Sequence, residues 1–138
     1  MRVFFDSSAF AKRYIAEEHG IAEVLAWCER ADELAVSVIA VPELIAAFCR
    51  LRREKKITAP QYRRLKDDFM ADIADAQICD TTPQTLQHAV AAPERHPLRG
   101  MDAIHLGAAV VCGADIFVSA DNRQCAAARA TGLTVSEV

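Results

Sequence analysis

The chain has no apolar run approaching the ~18–20 residues that cross a bilayer, no C-x-x-C pair, and no internal repeat or low-complexity tract. The first absence makes a membrane-spanning protein unexpected, and the last two argue against a solenoid or a disordered chain. The five cysteines, Cys28, Cys49, Cys79, Cys112 and Cys125, are odd in number and scattered, so neither a disulfide framework nor a zinc knuckle is indicated. Small core residues in a reducing cytoplasm are the reading they fit. A signal-peptide pattern is also missing, because Arg2 leads straight into Val3-Phe4-Phe5-Asp6. What is present is ordinary: 138 residues, 52% hydrophobic and 25% charged, enough for one domain over residues 1–138 with its own core.

The net charge of -3 conceals a local excess. Arg50, Arg52, Arg53, Lys55, Lys56, Arg63, Arg64 and Lys66 face one acid, Glu54, within a single stretch. That segment carries +7 and the remainder of the chain -10. Such a segment is either a polyanion-binding surface or a solvated helix face.

Short apolar runs alternate with helical periods, the signature of a parallel sheet covered by helices. Strands are predicted at Arg2–Phe5, Leu34–Val38, Ala76–Cys79, Ile116–Val118 and Leu133–Val135. Helices are predicted from Ile21 to Cys28, through Val41, Leu44, Ile45 and Phe48, from Thr58-Pro60 to Ile73, after Thr82-Pro83, over Met101–Cys112 and from Asn122 to Ala130. Pro93 to Gly100 reads as a loop. The two basic stretches then fall on neighbouring helices joined by a short turn.

In open parallel α/β sheets, ligands bind beyond the carboxyl ends of the strands. Four acids fall there: Asp6 after the first strand, Glu43 opening the helix after the second, Asp102 opening its helix, and Asp121 after Val118-Ser119-Ala120. Each alone could cap a helix for about 0.5–2 kcal/mol. Four independent caps would mix Ser, Thr, Asn and Asp; here all four are carboxylates, one of them a Glu, which is a poor cap. Gathered at one edge they would repel and raise one another's pKa unless a cation lay between them. Oxygen ligands without Cys or His suit a hard divalent ion, Mg²⁺ or Mn²⁺ ahead of Zn²⁺. Such an ion can promote phosphodiester hydrolysis without a protein nucleophile. Ser8 and Ser119 could orient a carboxylate or a phosphate, with helix capping the alternative for Ser7 and Ser8. Lys12, Arg99 and Arg123 could hold substrate phosphates or merely be solvated. His105, one helical turn after Asp102, reads as a packed histidine hydrogen-bonded locally.

Phe5-Asp6-Ser7-Ser8-Ala9 with Lys12, then Pro42-Glu43-Leu44, then Arg99-Gly100-Met101-Asp102-Ala103-Ile104-His105-Leu106, then Phe117-Val118-Ser119-Ala120-Asp121 form an ordered set. Together they resemble the PIN-domain ribonucleases, and most of all the VapC toxins of prokaryotic toxin–antitoxin pairs. The resemblance implies a three-layer α/β/α fold with a parallel sheet of four to five strands. It implies a Mg²⁺- or Mn²⁺-dependent endoribonuclease whose acidic tetrad falls on Asp6, Glu43, Asp102 and Asp121, with the accompanying hydroxyl on Ser119. It implies a cognate antitoxin partner, whose arginine could pair with the carboxylates, and a homodimer for which Phe48, Leu51, Tyr62 and Phe69 are the apolar candidates. Asn122 stands where many relatives carry a basic residue, and no further carboxylate precedes Asp102.

Three other readings compete with the toxin nuclease. A general RNA-processing nuclease would use the same acids. A binding module would use the basic segment for affinity and the acids only as caps. An aspartyl-phosphate enzyme would use Asp6 as nucleophile, but Ser8 stands where such hydrolases usually place a second acid.

Overall fold

The computed structural model describes residues 1–15 and 19–138. Five strands form one all-parallel sheet: β1 (Arg2–Phe5), β2 (Glu33–Ser37), β3 (Gln77–Cys79), β4 (Ile116–Ser119) and β5 (Thr134–Glu137), in spatial order β3-β2-β1-β4-β5. Seven helices cover it among the described residues: α1 (Ser7–Ala11), α2 (Ile21–Arg30), α3 (Ala40–Arg53), α4 (Ala59–Asp75), α5 (Pro83–Arg95), α6 (Gly100–Val111) and α7 (Asn122–Ala130). None is long and apolar enough to cross a membrane.

The strand alternation divides the core into two layers. Val3 and Phe5 of β1, Val36 of β2 and Val118 of β4 face α1 to α4, where they meet Phe10, Val24, Leu44, Phe48 and Phe69. Phe4, Ala35 and Phe117 face the other way, onto Leu106, Ala108 and Ala109 of α6 and Ala127 and Ala128 of α7. Register locks this arrangement. Phe4 lies opposite Ala35 and Phe117, and Phe5 opposite Val36 and Val118, so a slip of one residue would exchange every side chain between layers.

The first layer is aromatic. Phe10, Tyr14, Phe48 and Phe69 form a ring cluster with centroids 5.4 to 6.1 Å apart. Phe48 and Phe69 are fully buried there, which removes them from the dimer-surface candidates. Burial of each is worth about 1.5–3 kcal/mol to this chain's own fold, so neither is available to a second copy. The second layer sets the stacked rings of Phe4 and Phe117 against small helix residues, Ala108, Ala109, Ala127 and Ala128. At Gly107, a Cβ would stand 2.6 Å from the Thr85 carbonyl oxygen of α5, and only hydrogen fits.

Helix ends follow their residues. Thr58 caps α4 in a reciprocal capping box with Gln61, with Pro60 in its first turn. Thr82 caps α5, where Pro83 opens the helix. The expected loop from Pro93 begins later than predicted, because α5 runs through Pro93 to Arg95. A proline in the last turn removes one N–H donor, and the neighbouring bond from His96 N to Ala92 O still closes the helix. The turn between α3 and α4 places Lys55 at φ 58°, a left-handed conformation in which an L side chain is strained. All eight basic residues of this hairpin are exposed.

Strand order reverses at β1. The chain goes from β1 outward through β2 to β3, then crosses back to β4 on the other side. The carboxyl ends of β1 and β4 therefore flank the switch-point crevice of the sheet.

Candidate active site

Asp6 follows β1 directly and is the N-cap of α1. It is 1% exposed, yet both carboxylate oxygens are satisfied. Oδ1 accepts from Ser8 Oγ at 2.7 Å and from the Ala9 amide at 2.9 Å, and Oδ2 accepts from Ser119 Oγ at 2.5 Å. Burial pushes the Asp6 carboxyl above the ordinary carboxylate range, opposed by these donors and by His105 nearby. An oxygen pair so enclosed is poorly placed for nucleophilic attack, which disfavours the aspartyl-phosphate reading.

Ser8 and Ser119 turn that anchor into a link between strand ends. Ser119 Oγ also accepts from the Asp121 amide at 3.0 Å, and Ser8 Oγ accepts from the Ala120 amide at 3.1 Å. Two hydroxyls therefore tie the end of β1 to the loop after β4. Asp121 caps α7, its Oδ1 accepting from the Arg123 and Gln124 amides at 2.9 and 3.0 Å. The capping alternative weighed for these residues is thus also true of Asp6 and Asp121, but a cap uses part of each carboxylate only.

Asp102 sits in the first turn of α6. Its main-chain oxygen accepts from the buried Gln124 side chain at 2.9 Å, which fastens α6 to α7. Its carboxylate has a long contact, 3.4 Å, with Nε of the exposed Arg99. Asp102 and Asp121 line one open cleft of about 420 Å³ together with Pro97, Arg99, Ala120, Asn122 and Arg123.

Glu43 lies in the first turn of α3. Its Oε1 accepts from Ser7 Oγ at 2.9 Å and meets His105 Nε2 at 2.6 Å. Burial pushes the Glu43 carboxyl up, but the bond and charge of His105, with Ser7 and Arg99, outweigh it and hold the group below the usual range. His105 is buried as expected, yet its partner is not local: it stands 62 residues away on another helix. Sequence reading missed this contact and the Gln124 bond. The only available signal was that His105 follows Asp102 by three residues, which puts both on one helix face.

The donor set is four carboxylates along one sheet edge, with hydroxyls and one imidazole behind them. Among the described residues, no three His, Cys, Asp or Glu side chains stand close enough together to enclose an ion. A Mg²⁺-like ion does not demand an all-protein cage. It is typically held by one or two carboxylates, with water and substrate phosphate filling the shell. The paired Asp102 and Asp121 carboxylates on an open cleft suit that mode.

Lys12 corrects an expectation. It is 8% exposed, and its Nζ donates to the His19 main-chain oxygen at 2.8 Å. The ammonium serves the chain between α1 and α2, which leaves Arg99 and Arg123 as the cations at the cleft.

The PIN domain family model matches residues 3–130, nearly the whole chain and all four acids. The chain belongs to the PIN domain family. A curated relative, Ribonuclease VapC45 of Mycobacterium tuberculosis (strain CDC 1551 / Oshkosh), is 32% identical over 136 residues, covering 97% of this PIN domain and 94% of the relative. Among solved structures, DNA-bound VapBC from Salmonella typhimurium matches with TM-score 0.70 and 18% identity, covering 99% of this chain and 98% of that one. VapC20 of Mycobacterium tuberculosis, a toxin that cleaves the sarcin-ricin loop, matches with TM-score 0.68 and 16% identity over 99% and 98% of the two chains. These structures share the three-layer PIN fold found here.

Proposed function

We propose that this PIN domain is the toxin of a toxin–antitoxin pair, an endoribonuclease that hydrolyses RNA phosphodiesters with the help of Mg²⁺ or Mn²⁺. The observation that carries the reading is that the four sequence-distant acids lie along one edge, Asp6 tied to the Asp121 amide through Ser119 and Glu43 held by Ser7 beside Asp6 and by His105 on the helix of Asp102. The curated VapC relative supports it.

Asp6, Asp102 and Asp121 are the proposed metal ligands, Asp102 and Asp121 from the open cleft and Asp6 through the Oδ2 lone pair that Ser119 does not use, with Glu43 binding metal or helping to activate water. When bound, a divalent ion supplies positive charge that acidifies the attacking water and offsets charge building on the phosphate. The chain's own contributions are geometric. Ser8 and Ser119 fix the Asp6 carboxylate, the α7 N-terminus holds Asp121, and Gln124 sets the distance between α6 and α7. Arg99 and Arg123, which line the same cleft as Asp102 and Asp121, are the proposed contacts to RNA phosphates.

The free thiols suit a reducing cytoplasm. The proposed partner is an antitoxin chain. A groove of about 430 Å³ between the basic hairpin and the residues after α1, lined by Tyr14, Ile15, Leu51, Ile57 and Leu65 with Lys56 and Arg64 at its rim, offers it an apolar seat. Homodimerisation rests on Leu51 and on Tyr62, whose ring lies 5.4 Å from the Arg52 guanidinium carbon.

The test is cleavage of RNA by purified protein with Mg²⁺ or Mn²⁺, beside Asp6→Ala and Asp102→Ala. Wild-type rates in those variants would overturn the assignment. Salt-sensitive RNA binding with no metal requirement and no cleavage would establish the binding-module alternative instead.

A further inference from the structure

We infer that His105 is a positioning residue that fixes Glu43 in the carboxylate set, and this rests on the proposed role of Glu43. A glutamate has three side-chain torsions, and Glu43 keeps 36% of its side chain exposed. Left alone it would sample several rotamers. The structure opposes this at one atom. His105 Nε2 stands 2.6 Å from Glu43 Oε1, Ser7 Oγ donates to the same oxygen at 2.9 Å, and Ser7 Oγ and His105 Nε2 are 3.2 Å apart. Among the described residues no bond falls on Oε2. One oxygen is thereby held and the other is left for the site.

The imidazole suits this task because it cannot turn to another. It is 2% exposed, and its Nδ1 is buried with no hydrogen-bond partner among the described residues. A proton on Nδ1 would be a buried donor without an acceptor, so the ring proton belongs on Nε2, where it is given to Glu43. With Nε2 engaged and Nδ1 enclosed, His105 reaches neither an ion nor a substrate, so it is not a catalytic residue. Its location adds to the effect. His105 lies one turn from Asp102 on α6, and Ser7 adjoins Asp6 at the start of α1, so two elements bearing other acids converge on Glu43 Oε1.

The chemistry defines the test. The amide nitrogen of glutamine lies about where His Nε2 lies, whereas that of asparagine reaches only to about Nδ1. His105→Asn therefore loses the donor and His105→Gln restores it. In single-turnover RNA cleavage with excess enzyme, which keeps slow variants measurable, His105→Asn should lower the cleavage rate about 10- to 100-fold at saturation with little change in RNA affinity. His105→Gln should return to within about fivefold of wild type. In a Glu43→Ala background, His105→Asn should have no further effect. Calorimetric Mn²⁺ titration without RNA gives an independent reading: His105→Asn should weaken Mn²⁺ binding as Glu43→Ala does, while Gln does not. Melting curves identify any variant that is merely unfolded, and the Gln variant is then read alone. Wild-type cleavage and Mn²⁺ binding in folded His105→Asn, or an equal loss in the presence and absence of Glu43, would overturn the inference while leaving the nuclease reading intact. Full activity in Glu43→Ala alone would remove Glu43 from the site and the inference with it.

Discussion

Asp6 and Asp102 carry the same carboxylate at the same edge of the sheet and are treated in opposite ways. Asp6 is enclosed, with three hydrogen bonds from two serines and an amide. Asp102 opens onto a cleft, and among the described residues its carboxylate has only a 3.4 Å contact with an exposed arginine. Burial raises the pKa of the first group, so the fold alone disfavours its charge, while Ser119, Ala9 and Ser8 oppose that penalty without cancelling it. One carboxylate is thus fixed in place before any ligand arrives, and the other is free to adjust to it. A site of this kind combines preorganisation with access, which is what loading an ion and then a phosphate requires.

The largest test of the contrast replaces each acid by its amide. Asp6→Asn and Asp102→Asn should each lower RNA cleavage by about 100-fold or more, since several kcal/mol of transition-state stabilisation depend on an ion that both help to hold. Their stabilities should differ. In EDTA, Asp6→Asn should melt at or above the wild-type temperature, because asparagine is a good N-cap and its burial desolvates no charge. Asp102→Asn should melt within a degree or two of wild type. A fall of many degrees for Asp6→Asn would show that the fold needs the Asp6 charge and would erase the contrast.

Metal supplies the next test. If the ion binds only the folded chain, Mg²⁺ or Mn²⁺ at a hundredfold excess over its Kd should stabilise it by about 2.7 kcal/mol, a rise in Tm of roughly 10 °C for a domain of this size. Differential scanning fluorimetry should show this rise in wild type and its loss in both amide variants. An unchanged wild-type Tm at millimolar metal would count against the ligand assignment.

The serines sharpen the contrast on the Asp6 side. Ser119 is fully buried, donates to Asp6 and accepts from the Asp121 amide, so Ser119→Ala leaves two groups unsatisfied and should cost about 1–3 kcal/mol in urea unfolding. Ser8 is exposed and water can replace it, so Ser8→Ala should cost less than about 1 kcal/mol. Equal costs would mean that burial does not govern this network.

Much of this was legible in the chain. The strands at Val3-Phe4-Phe5 and Ile116-Phe117-Val118 were legible as short apolar runs, because a strand covered on both faces is apolar throughout, whereas the layer each side chain enters emerges only from the packed sheet. The acids were legible because each follows a strand end or opens a helix. Contacts between helices were not. Glu43 and His105 meet only once α3 and α6 are packed at the sheet edge, and nothing in either segment specifies the other. Phe48 and Phe69 show the same limit: an apolar helix position reports burial but not by which molecule. Lys12 shows it for charge, since a lysine near a site in sequence can still bury its ammonium against a main-chain oxygen.

The smallest effect concerns the cations around the open acid. Arg99 is 85% exposed at its side chain, so its pairing with Asp102 is worth at most about 0.2–1 kcal/mol, and its removal should change stability by less than assays resolve. Its effect belongs in substrate binding. Each phosphate contact to single-stranded RNA contributes about 0.7 to the slope of log affinity against log salt. Arg99→Ala and Arg123→Ala should therefore each flatten that slope by about 0.7, measured with Ca²⁺ in place of Mg²⁺ to suppress cleavage, and the double variant by about twice that. Lys12→Ala should leave the slope unchanged, because its ammonium is bonded within the chain. A flattened slope for Lys12→Ala together with an unaltered one for Arg99→Ala would move the RNA path from the open acid to the buried one.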